Sequence, residues 1–257
     1  MLNSESRQLL KTLLPVGLLA TKAWLQAQGL TLHFIDNAVK SRTLLALVPG
    51  VYVREEPCLS WQGVTISLQR MQSLPVQVGG LTALDLAGLA HYQSRHKDQL
   101  ISLYSAGAAP PWLNRLNLST QFEWHSTRRI WPAPVMDDVR YLRAYPWREG
   151  LPALMMSGPE KAMLELLPQV PEHISVEHAD QLMQGLSTLS PRKLDPLMQA
   201  NGSIKSKRLF MWLAQRHNHP WYRHLNPTQY ALGTGKRAIV QAGRLDTTWN
   251  ITVPKEM

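Results

Sequence analysis

The chain has a single cysteine, Cys58, among its 257 residues, so it can form no disulfide within itself. That excludes a small secreted fold stapled by disulfides and makes the reducing cytoplasm the expected compartment. Cys58 follows Pro57, no base is positioned beside it in the sequence, and it reads as an inert thiol. Long apolar runs are missing too: none approaches the ~20 residues that a membrane-spanning helix requires. The opening stretch, MLNSESRQLLKTLLP, lacks the apolar centre and cleavage site of a secretory leader. Acidic residues are few, with 18 Asp and Glu against 27 Lys and Arg, for a net charge of +9. An excess of this kind favours an anionic partner, either nucleic acid or an acidic protein surface. The excess is uneven. Residues 1–74 carry 7 basic against 4 acidic groups (+3), residues 75–190 carry 9 against 11 (−2), and residues 191–257 carry 11 against 3 (+8).

Catalytic motifs are also lacking. The run LGTGKR at 232–237 invites comparison with a phosphate-binding loop. That loop needs a Gly five residues before the Gly of its Gly-Lys pair and a Ser or Thr after the Lys. Tyr230 and Arg237 occupy those positions, so a Gly-rich hairpin carrying two cations is the better reading. His173, His178, His217 and His219 have no Cys partners and no zinc-site spacing. Asp137-Asp138 are adjacent and suit a solvated turn, and Glu160 and Glu165 read as a helix cap and a surface residue. No catalytic constellation, metal site or cofactor is expected, and the chain reads as a non-enzyme. A nucleic-acid-processing enzyme with an unrecognised site is the third class considered.

What is present is concentrated between Gly17 and Val53. An apolar helical pattern covers Thr21 to Gln28, Gly29 interrupts it, and a second helix runs from Thr31 to about Ser41. Gly29 suits a turn that needs positive φ. Two β-type runs follow, Leu45–Val48 and Val51–Val53, joined by Pro49-Gly50, which is hairpin chemistry. Helix, turn, helix, hairpin is the order of a winged helix-turn-helix. With Ile35 at the centre of the buried face and about 100° per residue, Leu32, Ala38 and Val39 fall beside it. His33, Asn37 and Lys40 fall on the opposite face, flanked by Asp36 and Ser41. These donors and acceptors suit base edges and phosphates. The expected DNA contacts are Thr21, Lys22 and Thr31 at the helix starts, His33, Asn37, Lys40 and Ser41 on the second helix, and Arg42 and Arg54 near the base of the wing. A winged helix used for protein contact is the competing reading, because fold does not fix function.

The remainder reads as a mixed α/β region. Helices are expected over 4–13, 60–72, 81–90, 157–167, 175–187, from 191 to Asn201, and 205–217. Strands are expected over 74–78, 99–105, 120–126, 139–145 and within 229–253. The polar run QSRHKDQ marks a boundary between residues 1–93 and 94–257. The fold class expected is therefore α+β, a winged helix-turn-helix domain followed by a mixed α/β domain. Lys205, Lys207 and Arg208 open one late helix, and Lys236, Arg237 and Arg244 lie on later strands and turns. Cations at a helix start oppose its dipole, so this cluster reads as a surface for a partner or for additional phosphates.

Several motifs in order resemble the AbiEi family of antitoxins from type IV toxin–antitoxin systems. In the first half they are LLPVGLLATKAWL, LVPGVYV and LSWQGVTISLQ, with VGGLTALDLAGLAHY at 78–92 the most distinctive. In the second half they are SGPEKAMLELL at 157–167, KSKRLFMWLA at 205–214 and LGTGKRAIVQAGRLDTTWNITVP at 232–254. The resemblance covers nearly the whole chain. It implies an N-terminal winged helix that binds double-stranded promoter DNA and represses transcription. It also implies a C-terminal domain that counteracts a nucleotidyltransferase-like toxin of the AbiEii family, without need of a stable complex. A stand-alone winged-helix regulator with no toxin is the alternative.

Overall fold

Residues 4–55, 59–90 and 99–257 are described by the computed structural model. Cys58, the Glu56-Pro57 pair after the hairpin, and residues 93–98 of the expected boundary segment lie outside them. Ser4–Leu13 forms helix α1. Strand β1 (Leu19–Thr21) leads directly into helix α2 (Lys22–Ala27), which Thr21 caps by accepting the Trp24 N–H at 3.2 Å. Gly29 turns the chain at φ 98°, a left-handed conformation that L side chains resist. Thr31 then caps helix α3 (Leu32–Lys40) through the Phe34 N–H, also at 3.2 Å. Strands β2 (Leu44–Val48) and β3 (Val51–Arg54) close a hairpin over Gly50. The order β1-β3-β2 makes a three-stranded antiparallel sheet. The apolar pattern did not distinguish β1, which has three residues and is set by pairing with β3 rather than by its own period.

Ser60 caps helix α4 (Trp61–Met71), which lies between two sheets. On one side Ser67 Oγ accepts the Leu19 N–H of β1 at 2.9 Å. The α4 backbone approaches so closely that a Cβ on Gly63 would lie 2.1 Å from the Gly17 carbonyl oxygen. On the other side stand β4 (Val76–Val78) and a later strand, β8 (Leu154–Ser157). The Gln69 amide joins these two strands. It donates to the carbonyls of Val76 (2.9 Å) and Met155 (2.6 Å), and it accepts the Met155 N–H at 3.0 Å.

The second sheet has five strands. Besides β4 and β8 they are β5 (Gln99–Ser105), β6 (Thr120–Ser126) and β7 (Leu142–Tyr145), in the order β6-β5-β4-β8-β7. The β5/β6 and β4/β8 pairs are parallel; the others are antiparallel. Thus β4, from before residue 93, is hydrogen bonded on both edges to strands from after it. Helix α5 (Gly80–Leu86) follows β4, and the short helix α6 (Ala133–Asp137) occupies what reads from sequence as a proline loop. Helices α7 (Pro159–Leu166), α8 (Val176–Gly185), α9 (Pro191–Ala200) and α10 (Ile204–His217) complete the core. Every residue of α7 is buried, as are nine consecutive residues of α10, Ser206 to Ala214. A small third sheet, β9 (Arg237–Ala238), β10 (Arg244–Asp246) and β11 (Ile251–Val253), ends the fold. The architecture is α+β, with an N-terminal and a C-terminal part.

Glu160 and Glu165 are not cap and surface residues. Helix α7 starts one residue later than the sequence spacing suggests, with Gly158 at its N-cap, and both carboxylates turn inward. Glu160 accepts the Ser190 N–H at 2.9 Å, satisfying the start of α9. Glu165 and Lys161 are 1% and 0% exposed and form an ion pair at 3.6 Å. Glu165 also accepts from the Trp131 indole N–H (3.1 Å) and the Gly80 N–H (3.3 Å), while Lys161 donates to Gln77 of β4. Burial pushes the Glu165 carboxyl up and the Lys161 ammonium down; each charge opposes the shift of the other. Beside this pair, Tyr104 donates to the Glu165 carbonyl at 3.1 Å and stacks on His125 at 4.6 Å.

Lys161→Met should leave Glu165 buried without its counter-charge and cost about 3–5 kcal/mol, measured from urea unfolding midpoints. A loss below about 1 kcal/mol would show that the pair does not organise this core. His125 gives a pH test. Burial holds its imidazole below the ordinary value of 6.5, with Glu123 opposing at 3.0 Å. A depressed folded value means that its contribution is present above pH 6.5 and is lost as pH falls through the folded value. The stability difference between the parent and His125→Phe should therefore shift against the parent below pH 6.5, and parallel pH profiles would refute the assignment.

Candidate nucleic-acid interface

The outer face of α3 begins with two exposed residues, His33 and Lys40, and the half-buried Asn37. His33 Nε2 and Asn37 Nδ2 lie 2.9 Å apart, one helical turn separating them. The inner face is Phe34, Ile35 and Ala38, with Val39 packed at its margin. Leu32 departs from the expected buried face. It is 48% exposed, because Phe34, not Leu32, reaches the core from the first turn.

Most of the flanking residues are engaged in contacts of their own. Thr21 and Thr31 spend their hydroxyl oxygens on backbone N–H groups of α2 and α3. Lys22 is tied to Asp36 of α3 at 2.8 Å, so this pair braces the two helices against each other. The hydrogen bond to Asp36 raises the Lys22 ammonium above its usual range. The Lys22 backbone N–H also donates to Gly50 O at 2.8 Å, which fixes the hairpin tip beside the start of α2. Ser41 bonds Ala38 O (3.2 Å) and lies 3.0 Å from the Thr43 hydroxyl. Arg42 is exposed at φ 57°. Arg54 is only 13% exposed and pairs with Glu55 at 3.4 Å, so it lines a cavity rather than the open face.

The late basic cluster does not form one surface. Lys205 is half-buried, whereas Lys207 and Arg208 are each 2% exposed. Helix α10 packs against α7 and α8, and Lys207 and Arg208 are drawn inside with its apolar body. Arg208 is hydrogen bonded to four backbone carbonyls: Leu232 (2.7 Å), Gly233 (2.7 Å), Gly235 (2.6 Å) and Asn250 (3.0 Å). It therefore clamps the Gly-rich turn and the entry to β11 onto α10. Burial lowers the Lys207 ammonium below its usual range. The four carbonyls account for the placement of Arg208 near the helix start. Lys236, Arg237 and Arg244 are exposed, on β9, β10 and the turn before them. Among the described residues no group of three or more His, Cys, Asp or Glu is arranged to hold a metal. No helix among them is long and apolar enough to cross a membrane.

The family model described as transcriptional regulator, AbiEi antitoxin, type IV TA system matches residues 98–254, and the model of the AbiEi antitoxin N-terminal domain matches residues 3–94. The chain belongs to the AbiEi family. This is a family of regulators and antitoxins of type IV toxin–antitoxin systems. No curated protein sequence matches. Among solved structures, the crystal structure of the RV2827C protein from Mycobacterium tuberculosis aligns with a TM-score of 0.50 over 91% of this chain and 85% of that one. At 16% identity the likeness concerns the fold alone.

The AbiEi motifs gain a physical meaning from the structure. In the run from residue 78, a Cβ on Gly79 would lie 2.3 Å from Glu165 Oε2, and one on Gly80 2.6 Å from the Tyr104 hydroxyl. Gly79 therefore admits Glu165 of the buried ion pair, and Gly80 admits Tyr104 beside it. The double Gly beside a Pro-Glu-Lys helix start was the available sequence signal. Its long-range pairing is invisible without the fold.

Arg208→Met should leave four carbonyls without their donor. It should cost at least about 3 kcal/mol at roughly 1 kcal/mol per lost bond, whereas Lys236→Ala and Arg237→Ala should leave the urea midpoint within about 0.5 kcal/mol. Equal effects at the three positions would refute the clamp.

Proposed function

We propose that the winged helix-turn-helix within residues 1–93 binds promoter DNA and represses transcription, and that residues 94–257 provide the antitoxin region. The carrying observation is the α3 face. His33, Asn37 and Lys40 line the side of a braced helix away from the core, and the β2–β3 hairpin is fixed beside α2. A helix held this way suits the major groove, with Asn37 to a base edge, Lys40 to a phosphate and the hairpin against the backbone. Thr21 and Thr31 act through the caps that aim the two helices. Ser41 and Arg42 extend the face towards phosphates. The setting is the cytoplasm, where promoter DNA is found, and no catalytic role or cofactor is invoked.

Against the toxin, the reading places the exposed Lys236, Arg237 and Arg244 on a surface that meets an acidic partner or the nucleic acid on which a nucleotidyltransferase-like AbiEii toxin acts. Lys205 borders it; Lys207 and Arg208 support it from inside. Family membership favours a toxin-linked role over a stand-alone regulator.

Asn37→Ala should relax discrimination between operator and random DNA by about 1–3 kcal/mol. Lys40→Ala should weaken both and lower the salt dependence by about one unit of log–log slope. Fluorescence anisotropy titrations at several salt concentrations separate the two. If replacing His33, Asn37 and Lys40 together changes neither quantity, α3 is not the reading helix. Reversing Lys236, Arg237 and Arg244 to Glu should abolish growth rescue on co-expression with the toxin while operator affinity holds. Loss of operator affinity instead would make this surface part of the DNA footprint.

A further inference from the structure

A cavity of about 310 Å³ opens where α1, the C-terminal end of α3 and the end of β3 meet. Arg7, Leu10 and Lys11 enter it from one face of α1, at i, i+3 and i+4. Phe34 and Ser41 enter from α3 and its C-cap, with Thr43, Arg54 and Glu55 closing the rim. Leu10 and Phe34 are buried and give an apolar floor. Three cations and one carboxylate, Glu55, line it, and Glu55 is exposed and pairs with the Arg54 terminal nitrogen at 3.4 Å. The Arg54 Nε is buried and has no hydrogen-bond partner. A buried guanidinium N–H without an acceptor is costly; Nε itself is closed to a cavity ligand, so an anion beside Arg54 offsets this through charge and not by bonding Nε.

We propose that this cavity binds a small organic anion, a carboxylate or phosphate monoester joined to an apolar group, and that the bound anion alters DNA affinity. The charged end meets Arg54, Lys11 and Arg7, and the apolar end lies on Leu10 and Phe34. The volume is at the small end of ligand pockets, roughly 300–1,000 Å³, which suits one ring or a short chain. The Ser41 and Thr43 hydroxyls lie at the rim, 3.0 Å apart, where the α3 helix ends. A ligand there contacts the end of α3 and the base of the hairpin together, so it binds differently to two settings of the pair and shifts their balance. The second half of the proposal rests on the DNA-binding reading above.

The test is calorimetric titration of the full chain with phenyl phosphate and with benzoate. Inorganic phosphate and phenol serve as probes that lack the apolar or the charged half. Saturable 1:1 binding of phenyl phosphate or benzoate is expected, with inorganic phosphate and phenol at least about tenfold weaker. Arg54→Gln should weaken binding by about tenfold or more, the usual effect of losing a charged hydrogen bond. Because Arg54 is largely buried, the exposed pair Arg7→Gln and Lys11→Gln provides a second variant that keeps the core, with weakening of several-fold expected. No saturable binding up to about 10 mM, or binding indifferent to both variants, overturns the proposal.

In parallel, anisotropy with a promoter duplex should show a change in DNA affinity that reaches a plateau as phenyl phosphate saturates. A decrease that grows without a plateau would make the cavity a DNA-phosphate contact and overturn the effector role. A saturated cavity with unchanged DNA affinity would also overturn it. If the duplex is not bound even without phenyl phosphate, the DNA-binding reading fails, and the calorimetry alone decides the site.

Discussion

Lys161 and Glu165 meet in an interior that water does not reach, and the surrounding fold is arranged to make that tolerable. An ion pair in such a place costs more in desolvation than its attraction returns unless the remaining hydrogen-bonding capacity is filled. Here it is filled from distant parts of the chain: Gln77 of β4, Gly80 at the start of α5, and Trp131 before α6. The two glycines at 79 and 80 have no room for side chains because Glu165 and Tyr104 occupy the space. One interaction thus specifies which strand lies at the centre of the sheet and how α7 lies against it. Arg208 has the same logic at the other end of the C-terminal part, with backbone carbonyls in place of a carboxylate.

This changes how the charge of the chain is read. The +8 of residues 191–257 counts Lys207 and Arg208 as if they were available to a partner. With both buried, the accessible cations of that region are fewer and dispersed: Lys236, Arg237 and Arg244 lie on the small third sheet and its turn, and Arg192, Arg216, Arg223 and Lys255 lie on other segments. Charge summed along a sequence is a statement about long-range attraction, not about a contact surface. Arginine is well suited to the interior role because its planar donors can satisfy several carbonyls at once.

Local chemistry was legible where it is self-contained. Helices start at about Thr21, Thr31 and Ser60, Gly29 turns, Pro49-Gly50 closes a hairpin, and the strands at 99–105 and 120–126 follow from their residues. On α3 the helical period matches the exposure of His33 and Lys40 and the half-burial of Asn37 but not the exposure of Leu32, since the period locates a stripe and not which first-turn residue fills the core. Three things escaped. Strand β1 is too short to show a period and exists through β3. The inward turn of Glu160, Lys161, Glu165 and Arg208 depends on partners dozens of residues away. Arg7 and Lys11 were on view at helical spacing, but the cavity that unites them with Arg54 is a product of three elements meeting.

The two family models divide the chain between residues 94 and 98, yet the sheet does not divide there. Strand β4 stands between β5 and β8, so a chain cut at residue 93 loses the neighbours on both of its edges. The Gln69 bonds to Met155 and the Ser67 bond to Leu19 place α4 in both neighbourhoods at once. A displacement of β1 therefore meets the same helix that holds β4 and β8 in register. Packed interiors transmit such shifts because they deform little. The part that carries the α3 face and the part that carries the exposed basic turns are joined through α4 by hydrogen bonds, a coupling that a tethering linker alone would not give.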